Sequence, residues 1–242
     1  MEIHAFTFDV GGTLVDGRLD QERYQQRLLD YLRGLEYTGG AKRFRRVMGQ
    51  MLAKLQRVRQ RDREVGFVEF YSELLVNLGI EPSDDVLEQI RVIYRDNFPQ
   101  REIPGAREAI ERLADRFKLG VISNTMTGIS RRFLHTSGLS AFFDVIVLSC
   151  DVGIRKPDPR IFLYTLKRLG VEPVRAVHVG DSLTSDVVGA LRAGMYAAWI
   201  ARERPERVEI GYEPDFIVGS IVNVIEVAEA LEPPHTGQRG RG

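Results

Sequence analysis

Apolar positions along this chain fall into two regimes. Short apolar runs bounded by Gly, Asp, Ser or Asn recur near His4 to Asp9, Leu119 to Ser123, Val145 to Ser149, Ala176 to Val179 and Ala197 to Ile200, with a weaker one at Phe216 to Val218. Helical segments separate them, which is the pattern of a parallel sheet covered by helices on both faces. Between Leu14 and Pro104 the pattern changes: no strand is predicted, and helices are expected near Asp20 to Leu35, Ala41 to Asp62, Gly66 to Leu78 and Ser83 to Asn97. Within the third, Phe67, Phe70, Tyr71, Leu74, Leu75 and Leu78 recur at three- and four-residue spacing, and Gly79 supplies a stop. The expected fold class is therefore α/β, a parallel sheet built from residues 1–16 and 99–231 with an all-helical insert at 17–98. The insert leaves through PQREIPG, whose prolines and glycine predict a short stiff linker. The last stretch, 232–242, mixes Pro, Gly and charge without apolar anchors, and disorder is expected there.

Composition narrows the class without naming it. With 242 residues and 43% hydrophobic content the chain can bury a sizeable core. Lys plus Arg and Asp plus Glu both number 34, so global charge offers no argument for nucleic acid or membrane. A single cysteine, Cys150, cannot form an internal disulfide and reads as a buried or half-buried small hydrophobe. No basic region followed by an apolar run opens the chain, and no stretch of apolar residues is long enough to span a bilayer. A soluble, cytoplasmic protein is expected, and the sequence is silent on oligomeric state.

Candidate chemistry gathers at the ends of the predicted strands. The run VHVGDSLTSD places Asp181 and Asp186 just beyond one strand, and HAFTFDVGGTL ends another on Asp9. Hard divalent ions such as Mg²⁺ take oxygen ligands and complete their shell with waters and substrate phosphate, so three acids at two strand ends suggest metal-assisted phosphate chemistry. Ser123 and Asn124 close LGVISN, and Lys156 lies in the loop GIRKPDP, where Asp158 and Pro159 read as a helix N-cap and first helical residue. Ligands of such sheets bind beyond the carboxyl ends of the strands, which brings these stretches into one crevice.

The order DxxGT, hydrophobic-Ser-Asn, Lys-Pro, GDxxxxD resembles the haloacid dehalogenase superfamily, in its helical-cap (C1) subgroup, over roughly Ala5 to Ser220. The resemblance implies a Rossmann-like core and makes the insert a mobile cap over the crevice, hinging at about Asp16 to Gly17 and Gln100 to Pro104. It further implies that Asp9 is the nucleophile and forms an aspartyl phosphate. The metal, Mg²⁺, would be bound by Asp9, the Gly11 carbonyl, Asp181 and Asp186. Phosphoryl oxygens would be received by Gly12, Thr13, Ser123, Asn124 and Lys156, the lysine also neutralising charge on the transferring group. His178, within a strand, reads as a neutral, hydrogen-bonded core histidine. The basic run AKRFRRVMGQMLAKLQRVRQRDRE carries nine Lys or Arg, of which Arg43, Arg46 and Lys54 are candidate substrate contacts.

One departure bears on mechanism. Family phosphatases carry a second Asp two residues after the first, and this chain has Gly11 there. That Asp protonates the leaving oxygen and later activates water, assistance typically worth about 10² to 10⁴ in rate. The leading expectation is a Mg²⁺-dependent phosphatase acting on a small phosphorylated metabolite, with neither nucleic acid nor membrane as a partner. The alternatives are a phosphate- and metal-binding regulatory protein without turnover and, against the evidence of Asp181 and Asp186, a metal-free 2-haloacid dehalogenase.

Overall fold

The structure, a computed structural model, describes residues 2–35, 37–201 and 211–231; the predicted disordered tail lies outside them. The chain opens with β1 (Ala5–Phe8) and β2 (Val15–Gly17), then runs through four helices, α1 (Gln21–Gly34), α2 (Ala41–Arg59), α3 (Phe67–Leu78) and α4 (Asp84–Asp96). It returns through β3 (Gln100–Glu102) and α5 (Ala106–Ala114) to β4 (Lys118–Ser123), α6 (Ile129–Thr136), β5 (Val145–Leu148) and a single turn, α7 (Ser149–Val152). Then follow α8 (Pro159–Leu169), β6 (Ala176–Gly180), α9 (Val188–Arg192), β7 (Tyr196–Ile200), β8 (Phe216–Val218) and α10 (Val224–Glu229).

Six strands form one parallel sheet in the order β5-β4-β1-β6-β7-β8, so β1 lies between β4 and β6. Alternation along each strand divides its side chains between two cores. Phe6, Phe8, Leu119, Val121, Val177 and Val179 enter one core with α5 and α10, while Ala5, Ile122, Ala176, Ala197 and Trp199 enter the other with α8 and α9. This two-sided burial is why the strands read as nearly continuous apolar runs.

The four helices α1 to α4 close on a third core of their own, in which Leu28, Leu32, Phe44, Leu74, Leu75 and Ile90 are buried. Caps set their limits: the Asp20 side chain accepts from Arg23 N, the Ser83 side chain accepts from Val86 N, and Gly79 closes α3 at φ +83°, a conformation glycine adopts without penalty.

One expectation fails. The stretch from Leu14 to Pro104 is not strand-free, because Val15–Gly17 and Gln100–Glu102 pair as an antiparallel ribbon, Asp16 opposite Arg101. The predicted linker PQREIPG is thus half strand, and an ion pair between Arg101 Nη2 and Asp16 Oδ2 at 2.8 Å lies along the ribbon. Three residues on each side, mostly polar, carry no hydrophobic alternation by which a strand is recognised.

Candidate active site

Parallel strands that end on the same side of the sheet bring Asp9, Ser123 and Asp181 together at the carboxyl ends of β1, β4 and β6. Asp9 N donates to Val179 O at 2.9 Å, so the chain leaves the sheet only at Asp9 itself. It then turns sharply: Leu14 N and Val15 N both donate to Val10 O, at 2.9 and 2.8 Å. Gly12 sits in this turn at φ +80°, and a Cβ on it would lie 2.0 Å from Asp181 Oδ2. A side chain there would strain the backbone and displace the Asp181 carboxylate. Gly180 is held to glycine by the same kind of crowding, its Cβ position lying 2.3 Å from the Asp186 carboxyl carbon.

Lys156 lies at the centre. Its Nζ donates to Asp9 Oδ1 at 2.7 Å and to the Ile122 carbonyl at 2.6 Å, and pairs with Asp186 Oδ1 at 2.6 Å. The lysine is buried, at 3% exposure, so its charge is sustained by these partners rather than by water. Burial lowers its proton affinity, but Asp186 and Asp9 more than offset this and hold it above the ordinary lysine value. Burial raises the Asp9 carboxyl well above the usual carboxylate range; Lys156 pulls it down, while Asp186 and Asp181 push it further up. Burial would raise Asp186 too, but Lys156 and His178 dominate and keep it low.

Asp186 has both oxygens engaged on the protein side. Besides Lys156, its Oδ1 meets His178 Nε2 at 3.3 Å, and its Oδ2 accepts from Ser182 N at 3.0 Å. It stands in a wide π-helical turn, Leu183–Val187, of a kind often found at functional sites. His178 is buried and bonded to Thr7 Oγ1 at 2.8 Å through Nδ1, and burial lowers its pKa, so it is a neutral core histidine as the strand position implies. That histidine also orients Asp186, a link invisible in the sequence. The Asp181 carbonyl accepts from Trp199 Nε1 at 3.0 Å, which fixes the backbone behind its carboxylate.

Carboxylate oxygens of Asp9, Asp181 and Asp186 all lie within 4.8 Å of one another. An all-oxygen donor set, a carboxyl at Asp9 raised by burial first and then by Asp186 and Asp181, and a glycine at position 12 whose side-chain room Asp181 occupies fit a small hard cation. Asp186, with both oxygens engaged, is suited to hold the set in place, and Asp9 and Asp181 to face the ion.

The cluster forms the floor of a cleft of about 540 Å³ that also reaches Ser123, Asn124 and Gly11. Gly11 is exposed, and a Cβ on it would meet nothing within 4 Å. Thr13, by contrast, is wholly buried and, with Gly12, borders a separate hollow beside Ile103 and Ser220 rather than this cleft. The opposite wall comes from the helices: Tyr24, Leu52, Phe70, Tyr71 and Arg59 line it, with Tyr24 and Tyr71 hydroxyls 2.5 Å apart. Of the basic candidates on α2, Lys54 pairs with Glu73 at 2.6 Å on the outer surface and Arg43 reaches the Asn77 carbonyl. Neither they nor Arg46 lines the cleft, whereas Arg59 and Arg155 do. Charge count along α2 marks basic residues but not their facing, which is why Arg59 escaped notice.

Residues 3–194 match the profile of the haloacid dehalogenase-like hydrolases. The chain belongs to that family. It is 34% identical over 193 residues to phosphoglycolate phosphatase of Aquifex aeolicus, covering 79% of this chain and 81% of that one. Over 164 residues it is 32% identical to glyceraldehyde 3-phosphate phosphatase of Methanopyrus kandleri, covering 65% and 70% of the two. Among eight of the curated relatives the matched stretch spans 40% to 81% of the relative's own length. A solved 2-haloacid dehalogenase from Pseudomonas syringae superposes with a TM-score of 0.74 at 24% identity, over 94% of this chain and 99% of that one, a likeness of fold alone. Among the described residues, no helix of this family member is long and apolar enough to cross a membrane.

Proposed function

We propose that this chain is a Mg²⁺-dependent phosphoric monoester hydrolase that works through an aspartyl phosphate on Asp9. The observation that carries the reading is the Asp9, Asp181 and Asp186 cluster, neutralised on one side by Lys156 Nζ at 2.7 Å from Asp9, on the floor of a cleft. Relatives that are phosphatases of small phosphorylated metabolites support it.

Asp9, the Gly11 carbonyl and Asp181 would hold the ion, with Asp186 supporting the set behind them, and the ion when bound would neutralise phosphoryl oxygens. Asp9 Oδ attacks phosphorus as the ester P–O bond breaks. Lys156 offsets the negative charge that Asp9 brings to an anionic substrate, and Ser123 with the Asn124 N–H receives the equatorial oxygens. Water then cleaves the acyl phosphate and restores the carboxylate. Gly11 offers no proton to the departing oxygen and no base to the water, so leaving groups that need little protonation, acyl and aryl phosphates, are the favoured substrates.

The helical unit at 17–98 acts as a cap whose movement bends the β2–β3 ribbon, and its closure excludes water from the cleft. A second reading, a phosphate-binding protein without turnover, draws on Gly11 alone. Phosphate release from a panel of phosphorylated metabolites, with Mg²⁺ and with chelator, separates the two: metal-dependent turnover by pure protein supports the hydrolase, and none on any ester, including p-nitrophenyl and acetyl phosphate, overturns it.

A further inference from the structure

Glu64, in the turn between α2 and α3, belongs to the helical unit, yet its carboxylate is bonded to the sheet. Its side chain is shielded completely from solvent. Oε1 accepts from Arg59 Nε and Nη2, both at 3.1 Å, and from Val65 N at 3.2 Å. Oε2 accepts from Ser149 Oγ at 3.0 Å and from Arg155 Nη1. The backbone on either side is stitched down as well: Glu64 N donates to Gly153 O at 3.2 Å, Arg155 N donates to Asp62 O at 2.8 Å, and Arg63 bridges Ile154 in antiparallel fashion.

Both partners on the sheet side stand next to catalytic machinery. Arg155 is covalently bonded to Lys156. Ser149 Oγ accepts from Thr125 N at 2.9 Å, and Thr125 follows Ser123 and Asn124 directly. Asn124 in turn grips the Lys156 backbone through its side chain, at 2.9 and 3.0 Å. The path from Glu64 through Arg155, Lys156, Asn124, Thr125 and Ser149 therefore returns to Glu64. A buried carboxylate between two guanidiniums adds little net stability over a hydrophobic replacement, because desolvation opposes the attraction. What it does impose is direction, since five donors converge on two oxygens.

We propose that Glu64 is a positioning residue through which the seated helical unit sets both the Lys156 loop and the Ser123–Thr125 loop. Cap docking and placement of the two phosphoryl-binding loops are then one event. This proposal rests on the phosphoryl-transfer reading of the cleft.

The test uses the full chain with Mg²⁺ and p-nitrophenyl phosphate, comparing Glu64→Gln, Arg155→Gln and the double variant. Small misplacements of positioning groups cost up to about a hundredfold in rate, so kcat is expected to fall roughly tenfold to a hundredfold with little change in KM. Vanadate inhibition should weaken in step, and the double variant should be no worse than either single one. A folded Glu64→Gln protein with wild-type kcat and vanadate affinity overturns the proposal, including the case in which only its melting temperature drops. If Glu64→Gln does not fold, Arg155→Lys, which keeps the charge but not the planar fork, carries the same comparison. Should the wild type hydrolyse no ester at all, the hydrolase reading fails separately. Calorimetric binding of vanadate to wild type and variant then decides the role of Glu64, weaker binding upholding it and equal binding ending it.

Discussion

Asn124 and Lys156 hold each other at two points: the amide Nδ2 donates to the Lys156 carbonyl at 3.0 Å, and the Lys156 N–H donates to Oδ1 at 2.9 Å. The side chain of one loop thus replaces the backbone partner that the other loop lacks beyond the sheet, and the lysine is aimed from a fixed base. Asn124→Ala should lower kcat on any phosphate ester by roughly tenfold to a hundredfold while leaving Mg²⁺ affinity near wild type, because none of the three acids is touched. Steady-state kinetics together with metal titration checks this; a matching loss of metal affinity counts against it.

Lys156→Met removes the cation shared by Asp9 and Asp186. Leaving a buried charge without its partner costs about 3 to 5 kcal/mol, so urea unfolding at neutral pH should show a loss of that order. The pH dependence follows from Asp186. Its carboxyl is held low by Lys156 and His178, so its contribution is present above the ordinary carboxylate range and is lost as pH falls through the folded value. Without Lys156 that contribution is gone, and the gap between variant and wild type should narrow in acid. A gap that widens below pH 5 would contradict the assignment of Lys156 as the counter-ion.

Asp181→Ala should weaken Mg²⁺ binding roughly tenfold or more and abolish turnover, with Asp186 a poor substitute because His178, Lys156 and Ser182 N already engage its oxygens. Isothermal titration of the folded variant gives the answer without reference to catalysis. Unchanged affinity would remove Asp181 from the metal site.

Gly11→Asp restores the side chain that family phosphatases carry. The backbone at residue 11 is not in the left-handed region and its Cβ position is open, so the β-carbon of the substitution is accommodated. Hydrolysis of alkyl phosphates should rise on the order of a hundredfold, and that of p-nitrophenyl phosphate much less, since nitrophenolate departs unaided. Equal gains on both substrates, or none on either, would mean that proton transfer to the leaving group does not limit the wild type.

Cys150 gives a probe of the sheet side. Burial first, and then Asp151, push its thiol up to about 11, so the neutral, unreactive form persists well above physiological pH. Iodoacetamide should alkylate it roughly a hundredfold more slowly than a free thiol at pH 8, with the rate climbing through pH 10. Rapid labelling at pH 7, followed by mass spectrometry, would show the thiol to be in a different setting.

How much of this was legible beforehand follows from what each residue does. All six strands of the large sheet appear in the hydrophobic pattern because β1, β4 and β6 are buried on both faces, and the acids stand out because Asp9 and Asp181 immediately follow them. The β2–β3 ribbon was not legible: VDG and QRE bury too little to leave a trace. Glu64 was hidden for a different reason. It closes a run of nine basic residues and looks like a stray acid on a solvated surface, whereas its value comes from Ser149 and Arg155, 85 and 91 positions away in the chain. Long-range pairing of polar groups has no local period, so the link from His178 to Asp186 and the role of Arg59 were equally silent.

Adjacent glycines at positions 11 and 12 stand there for opposite reasons. A Cβ at 12 would collide with the Asp181 carboxylate on a backbone at φ +80°, so a side chain there is strained. Position 11 is open, and a glycine codon ending in a pyrimidine becomes an aspartate codon through a single base change. Where position 11 is so encoded, the carboxylate that family phosphatases carry lies a single base change away, at a position whose Cβ meets nothing within 4 Å.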